Sequence, residues 1–223
     1  MSGEHDGASL AGAARWLAVH DDLLRGLAHA LSNRVGTISA ASYLLDQTPS
    51  NTTVGDTLRA ESERLEALLH LIRILPYPEG AVAEPVIPTD AIANAVALQA
   101  HHNDLRDIPV AVTLDGDVQP AYVSPAVLTM AVAVALGAAQ RVAGSGGRVE
   151  LSVSSDADHV IITPRSAHRD GSAAMADDDA VHDIGAITWL LAPFRGHGDA
   201  VNGNVAVIVP TLQAARRARQ AGG

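Results

Sequence analysis

Residues 24–47 read LRGLAHALSNRVGTISAASYLLDQ, and this proline-free stretch decides the fold of the N-terminal part. Its apolar side chains recur at steps of three and four residues, namely at Leu24, Leu27, Leu31, Val35, Ile38 and Leu45. This spacing places them on one stripe of a helix. The helix extends back to about Ser9, and Pro49 ends it because a residue before proline is pushed out of the helical region.

A second helix of similar character follows after a short turn. Thr53-Val54-Gly55-Asp56 resembles a capping box, and the leucine-rich pattern beyond it continues to Leu75, before Pro76 and Pro78. Two helices joined in this way form a hairpin that cannot cover both apolar stripes by itself. We therefore expect residues 1–78 to form a dimerisation hairpin that pairs with a second copy as a four-helix bundle, which makes the protein a homodimer.

The pattern of predicted helices and strands in residues 79–223 is typical of an α/β sandwich. Helices are predicted over 89–102, from Pro125 onward and over 184–191, with strands at 110–114, 122–123, 149–153, 159–163 and 205–209. Residues 166–180 are expected to form a loop, and Asn202-Gly203 a hairpin turn. The fold class is therefore α+β: a helical hairpin, then helices on one face of a mainly antiparallel sheet.

Composition excludes several classes of protein. The chain has 223 residues, no cysteine and a formal net charge of −10, which argues against thiolate chemistry, disulfides and non-specific nucleic-acid binding. The N-terminus is polar, unlike a signal peptide, and the most apolar stretch, 125–139, is too short to span a bilayer. We expect a cytoplasmic protein that contacts neither membrane nor nucleic acid.

His29 shares a helix face with polar and small residues at spacings of three, four and seven: Asp22, Arg25, Gly26, Asn33 and Gly36. Because the apolar stripe lies elsewhere, His29 should face solvent. Gly26, Ser32 and Gly36 should leave room for another protein, and Arg25 and Arg34 supply positive charge suited to a phosphoryl group. A neutral imidazole has one unprotonated nitrogen and can accept such a group.

His29-Ala30-Leu31-Ser32-Asn33-Arg34-Val35-Gly36-Thr37-Ile38 resembles the phosphoacceptor box of bacterial histidine kinases. The order of elements is similar to a kinase dimerisation domain followed by a GHKL-type ATP-binding domain. Gly185-Ala186-Ile187, Gly196-His197-Gly198 and Asn202-Gly203 resemble that domain's last helix and hairpin. The resemblance covers about residues 15–210.

The sequence lacks several residues that bind ATP in this family, which indicates that the protein does not use ATP. The stretch 133–138 lacks the asparagines that hold Mg²⁺ and phosphates in the kinases, and 162–166 lacks their adenine-reading Asp and glycines. The region 181–185 keeps one glycine of the lid, and Ala30 replaces the acid that follows the kinase histidine. The resemblance therefore implies a degenerate domain with no bound cofactor.

The resemblance implies a histidine phosphotransferase of a two-component phosphorelay. His29 would take a phosphoryl group from a receiver aspartate and pass it to a second receiver, with Asn33 orienting, Arg25 and Arg34 stabilising charge, and Mg²⁺ coming with the receiver. Two alternatives stay open: a pseudokinase scaffold that binds response regulators or a kinase, and a kinase with an unusual nucleotide site.

Simpler interpretations compete at each position. A lone exposed helical histidine is usually a surface residue, and His70 on the second helix is the nearest rival of His29. The pair His101-His102 suits a helix end, and Asp177–Asp179 with His182 suits a solvated acidic loop better than a metal site. Residues 144–147 lack the lysine of a phosphate loop and are expected to begin a hairpin.

Overall fold

The computed structural model describes residues 3–47, 52–75, 80–174 and 178–221. The N-terminal helices are α1 (Gly3–Gln47) and α2 (Thr52–Ile74). The remaining elements are β1 (Glu84–Val86), α3 (Pro88–Gln99), β2 (Val110–Leu114), β3 (Ala121–Val123), α4 (Pro125–Ala143), β4 (Arg148–Ser155), β5 (His159–Ala167), β6 (Ala173–Ala174), α5 (Ala180–Leu191), a 3₁₀ turn (Ala192–Phe194), β7 (His197–Val201), β8 (Asn204–Pro210) and α6 (Leu212–Ala221). A helical hairpin followed by an α/β domain confirms the predicted α+β class.

The 45 residues of α1 make a rod about 67 Å long. The predicted apolar stripe divides into two faces. Leu27 is fully buried inside the chain, together with Leu23, which the sequence pattern had not singled out. Leu24 is 36% exposed and Val35 51% exposed, so the expectation of one shared stripe is wrong for the single chain. The reason is that α1 also has to cover the C-terminal domain, and it presents a different side of the helix there.

The N-terminal half of α1 packs along α5. Gly12 permits this approach, because a Cβ on it would lie 2.5 Å from the carbonyl oxygen of Gly185. Trp16 fills the same junction and is only 2% exposed. The apolar core is therefore continuous from the hairpin into the sandwich. The predicted domain boundary between residues 78 and 79 lies outside the described residues, as do Pro49, Pro76 and Pro78.

A buried carboxylate ties three helices together at this junction. Asp183 of α5 has no exposed surface, and its oxygens accept from Arg15 Nε of α1 at 2.7 Å and from an Arg141 guanidinium nitrogen of α4 at 2.5 Å. A buried charge needs such partners to offset the cost of losing water. The contact fixes α1 against both α4 and α5.

The main sheet has the order β2-β4-β5-β8-β7, with β6 beside β5. Only β2 and β4 run parallel among these pairs, so the prediction of a mainly antiparallel sheet is confirmed. Burial alternates along β4, where Val149, Leu151 and Val153 face the helices. β1 was not predicted, and the expectation of a loop over 166–180 is wrong at Ser166 and Ala167, which extend β5, and at β6, which pairs with them.

α4 is apolar and 19 residues long, so by length it could cross a membrane, and the expectation that this stretch is too short for that is wrong because the helix continues to Ala143. In the fold, 83% of its apolar window is buried inside the protein. Ser124 and Pro125 begin the helix as the sequence predicts. α4 is therefore the central core helix, packed against α3, α5 and the sheet.

Candidate functional site

His29 lies on an exposed face of α1, roughly midway along the helix. Its ring contacts Asn33, one turn further on, with 3.2 Å between the amide Nδ2 and the imidazole Nε2. The amide nitrogen can donate to Nε2, and in that hydrogen bond the Nε2 electron pair is engaged by Asn33.

Arg25 and Arg34 are both engaged with carboxylates. Arg25 binds Asp21 and, at 3.0 Å, Asp22 on its own helix. Arg34 reaches across to α2 and contacts the two oxygens of Glu61 at 2.9 and 3.2 Å. Their role in charge stabilisation stays a prediction. It requires one of the two guanidinium groups to leave its carboxylate partner and bind the phosphoryl group instead.

Glu61 is the buried member of this interhelical pair, with 4% of its surface exposed. Its carboxylate also binds Arg64 on α2. Burial would raise the pKa of Glu61, but the hydrogen bonds and charges of Arg64 and Arg34 outweigh it and hold the pKa below its ordinary value. The ionised pair therefore joins α1 to α2 next to the His29 face.

The His29 face forms one wall of a cleft of about 220 Å³. The opposite wall is the segment that follows α3, and its side chains are His101, Asn103 and Arg106. Sequence reasoning had placed His101 at a helix end and had assigned nothing to Asn103 or Arg106. No local pattern reveals this juxtaposition, because it depends on how α1 docks on the C-terminal domain.

Gly26 makes that docking possible. A Cβ built on Gly26 would overlap the carbonyl oxygen of His101 and lie 2.8 Å from its carbonyl carbon. The expected space for a partner at Gly26 is therefore filled by the chain itself, and that part of the prediction is wrong. Gly36, by contrast, has nothing within 4 Å, and Ser32 is exposed.

His101 and His102 are half-buried, and both have a pKa below the ordinary value of 6.5. For His101, burial lowers the pKa most and the charge of Arg34 lowers it further. For His102, burial lowers the pKa and outweighs the nearby carboxylates of Asp22 and Asp104, which raise it. Both rings are therefore neutral around pH 7.

We expect the folded state to lose stability as the pH falls below about 6.5. Unfolded histidines bind protons there, whereas the two folded rings resist protonation, so acid favours the unfolded state. Urea unfolding at pH 7.5, 6.5 and 5.5 measures this effect. The double variant His101→Gln/His102→Gln should flatten the dependence, and the exposed-site control His70→Gln should keep it. Equal slopes in all three proteins would contradict the assignment.

The resemblance to kinases implies ATP with Mg²⁺, and the residues present do not fit it. At the corresponding stretch of α4, Val134 is 1% exposed and Ala138 is 3% exposed, and neither offers an oxygen ligand. The adjacent cleft of about 200 Å³ is lined by the carboxylates of Asp22, Asp104 and Asp179 and by Arg15, whose guanidinium is bound to Asp183. The guanidinium of Arg141 in this cleft is bound to Asp183.

None of His70, Asp178 and His182 lines the His29 cleft, whereas Asp179 lines the cleft beside Arg141. His70 and His182 are exposed, and Asp177 lies outside the described residues. Among residues 3–47, 52–75, 80–174 and 178–221, no three histidine, aspartate or glutamate side chains converge as a metal site would require. Residues 144–147 form the turn into β4, as predicted, with the Gly147 amide donating to the Gly144 carbonyl at 3.0 Å.

No family model matches the sequence, and no curated protein matches it. Among solved structures, the chain is similar to the Acinetobacter baumannii histidine kinase AdeS, with 13% identity, a TM-score of 0.44 and coverage of 82% of this chain and 98% of that one. A histidine kinase from Burkholderia phymatum STM815 also has 13% identity, with a TM-score of 0.42 and coverage of 91% and 96%. A structure described as a bacterial phosphotransferase has 13% identity, a TM-score of 0.41 and coverage of 86% and 95%.

Proposed function

We propose that this protein is a histidine phosphotransferase of a two-component phosphorelay and that His29 is its phosphoacceptor. The observation that carries the proposal is the exposed His29 ring whose Nε2 is contacted by the Asn33 amide at 3.2 Å. An exposed imidazole on a helix face is accessible for attack on a phosphoryl group presented by another protein.

The transfer is a displacement at phosphorus. The Asn33 amide turns away from Nε2, and the Nε2 electron pair of His29 then forms the P–N bond while the P–O bond of a receiver's aspartyl phosphate breaks and the aspartate leaves as a carboxylate. The ring then carries a positive charge until Nδ1 releases its proton to water. Asn33 holds the ring orientation before attack, and the reverse displacement delivers the group to a second receiver. Mg²⁺ belongs to the receiver and stabilises the charge of the phosphoryl oxygens there.

The partners of this reaction are receiver domains in the cytoplasm, which approach the exposed side of α1. The C-terminal sandwich serves as support and docking surface and uses no nucleotide. A second copy of the chain completes the hairpin, because leucines at exact seven-residue intervals on α1 face solvent in the single chain. Leu10 is 71%, Leu17 63% and Leu24 36% exposed. Such a stripe is typical of a helix-bundle interface.

Transfer of label from phosphorylated receivers to the purified protein tests this function. The wild-type protein should acquire acid-labile, base-stable phosphate, and His29→Ala should acquire none. His70→Ala is the matched control, since His70 is an exposed histidine on the other helix of the hairpin, and it should behave as wild type. If His29→Ala retains the label and His70→Ala loses it, His70 is the phosphoacceptor and the proposal for His29 is wrong.

A non-catalytic scaffold is the second candidate function. It is favoured by the carboxylate contacts of Arg25 and Arg34, which leave both guanidinium groups occupied. A scaffold would bind receivers or a kinase with the same affinity in the wild-type protein and in His29→Ala, and neither would become labelled. The same assay, combined with a binding measurement, therefore separates the two functions.

A further inference from the structure

The cleft beside His29 brings together two parts of the chain that are distant in sequence. One wall is α1 with His29 and Asn33, and the other is the segment after α3 with His101 and Arg106. Gly26 sets the distance between the walls, because the backbone of His101 occupies the space that a side chain would need. His29 and Arg106 therefore line the same cleft from opposite walls.

Three arginines surround this face, and they differ in what they already bind. Arg25 is held by two aspartates of α1, and Arg34 by the buried Glu61 of α2. The Arg106 side chain has a single, long ion pair within the described residues, 4.0 Å from its Nε to Asp107 Oδ1, and it is 55% exposed. Arg106 can therefore turn towards an incoming anion without breaking a short ion pair.

We propose that Arg106 is the phosphoryl-binding residue of this protein and that the cleft between α1 and the segment after α3 is the site that holds the phosphoryl group on His29. The proposal rests on the proposed function and adds to it a cation that no short ion pair holds, since Arg34, which also lines the cleft, is bound to Glu61. A guanidinium presents paired N–H donors that match the oxygens of a tetrahedral phosphoryl group. Arg106 stabilises the extra negative charge that these oxygens carry on transfer.

This arrangement gives the C-terminal domain a direct part in the chemistry. The hairpin supplies the nucleophile, and the sandwich supplies the cation through the turn that follows α3. Because Gly26 and the Asp183 contacts fix α1 on the sandwich, Arg106 is already close to the cleft before a receiver docks. Pre-positioned charge costs no reorganisation when the phosphoryl group arrives.

A small phosphodonor tests Arg106 without any receiver. Phosphoramidate transfers its phosphoryl group to imidazole: the P–N bond of the donor breaks, ammonia leaves, and a new P–N bond forms at His29. We expect Arg106→Gln to slow formation of phosphohistidine about tenfold, the loss that corresponds to one charge-assisted hydrogen bond. Arg106→Lys should be intermediate, because it keeps the charge and loses the paired donors. Arg165→Gln is the matched control, an exposed arginine on β5 outside the cleft, and should match wild type.

The outcomes separate this inference from the proposed function. Equal rates of phosphohistidine formation in wild type, Arg106→Gln and Arg165→Gln would overturn the role of Arg106. Transfer from receivers is tested separately by the receiver assay described above. A tenfold loss in Arg106→Gln alone supports the cleft, even if no receiver is found to transfer. Absence of phosphohistidine at position 29 in the wild-type protein, with its fold verified by circular dichroism, would overturn the cleft as a phosphoryl site.

Discussion

Gly26→Ala is expected to lower the free energy of unfolding by about 3 kcal/mol, the upper part of the usual range for an overpacked site. The added methyl group would overlap the backbone carbonyl of His101, and no rotamer change can move a backbone atom away. The helix α1 would have to shift from the segment after α3, and this shift would also open the cleft beside His29. Urea unfolding of the purified variant measures the loss.

Gly36→Ala is the matched control on the same helix, ten residues further on. Its Cβ would meet nothing within 4 Å, so alanine should stabilise the helix by about 0.5–1 kcal/mol through its better helix propensity. Opposite signs for the two substitutions would establish that Gly26 serves the α1 docking contact. Two small effects of the same sign would contradict the packing described above.

The double variant Leu17→Glu/Leu24→Glu is expected to convert a dimer into a monomer. Both side chains lie on the exposed heptad stripe of α1, and their exposed fractions, 63% and 36%, together amount to about one fully buried leucine per copy, worth about 1.5–3 kcal/mol. Two copies give a loss of at least about 3 kcal/mol, which raises the dissociation constant more than about 10²-fold. Sedimentation velocity over a range of concentrations distinguishes the two states.

Leu114→Glu provides the control for this experiment. Leu114 is 48% exposed, but it lies on β2 at the edge of the sheet and not on the hairpin. This variant should remain a dimer. The proposed four-helix bundle would be contradicted by a wild-type protein that sediments as a monomer at high concentration. It would also be contradicted by a Leu17→Glu/Leu24→Glu protein that stays dimeric.

Periodicity was enough to predict the main elements. The three- and four-residue steps in α1 and the alternation along β4 are local consequences of helix and strand geometry. Both helices of the hairpin, the buried α4 and the Asn202-Gly203 turn therefore appear where the sequence places them. The exposure of His29 was also predictable, because the apolar positions of α1 lie on other sides of the helix.

Contacts between distant segments were not predictable in this way. Leu23 is buried and Leu24 exposed because α5 and the segment after α3 cover one particular side of α1. The partner of Arg34 is Glu61, 27 residues away, and Arg106 reaches the His29 cleft only through tertiary docking. The periodicity of a helix does not specify which side a distant domain will cover. Gly26, three residues before His29, was interpreted as room for a partner protein, whereas the backbone of His101 fills that space.

Site mapping of the phosphoryl group tests the central claim most directly. The wild-type protein would be incubated with a phosphorylated receiver, kept at alkaline pH to protect P–N bonds, and fragmented by electron-transfer mass spectrometry. The phosphotransferase account predicts an added phosphoryl group at His29, in a form that disappears after brief acid treatment. A phosphoryl group at His70 or at any other position, with His29 unmodified, would contradict it.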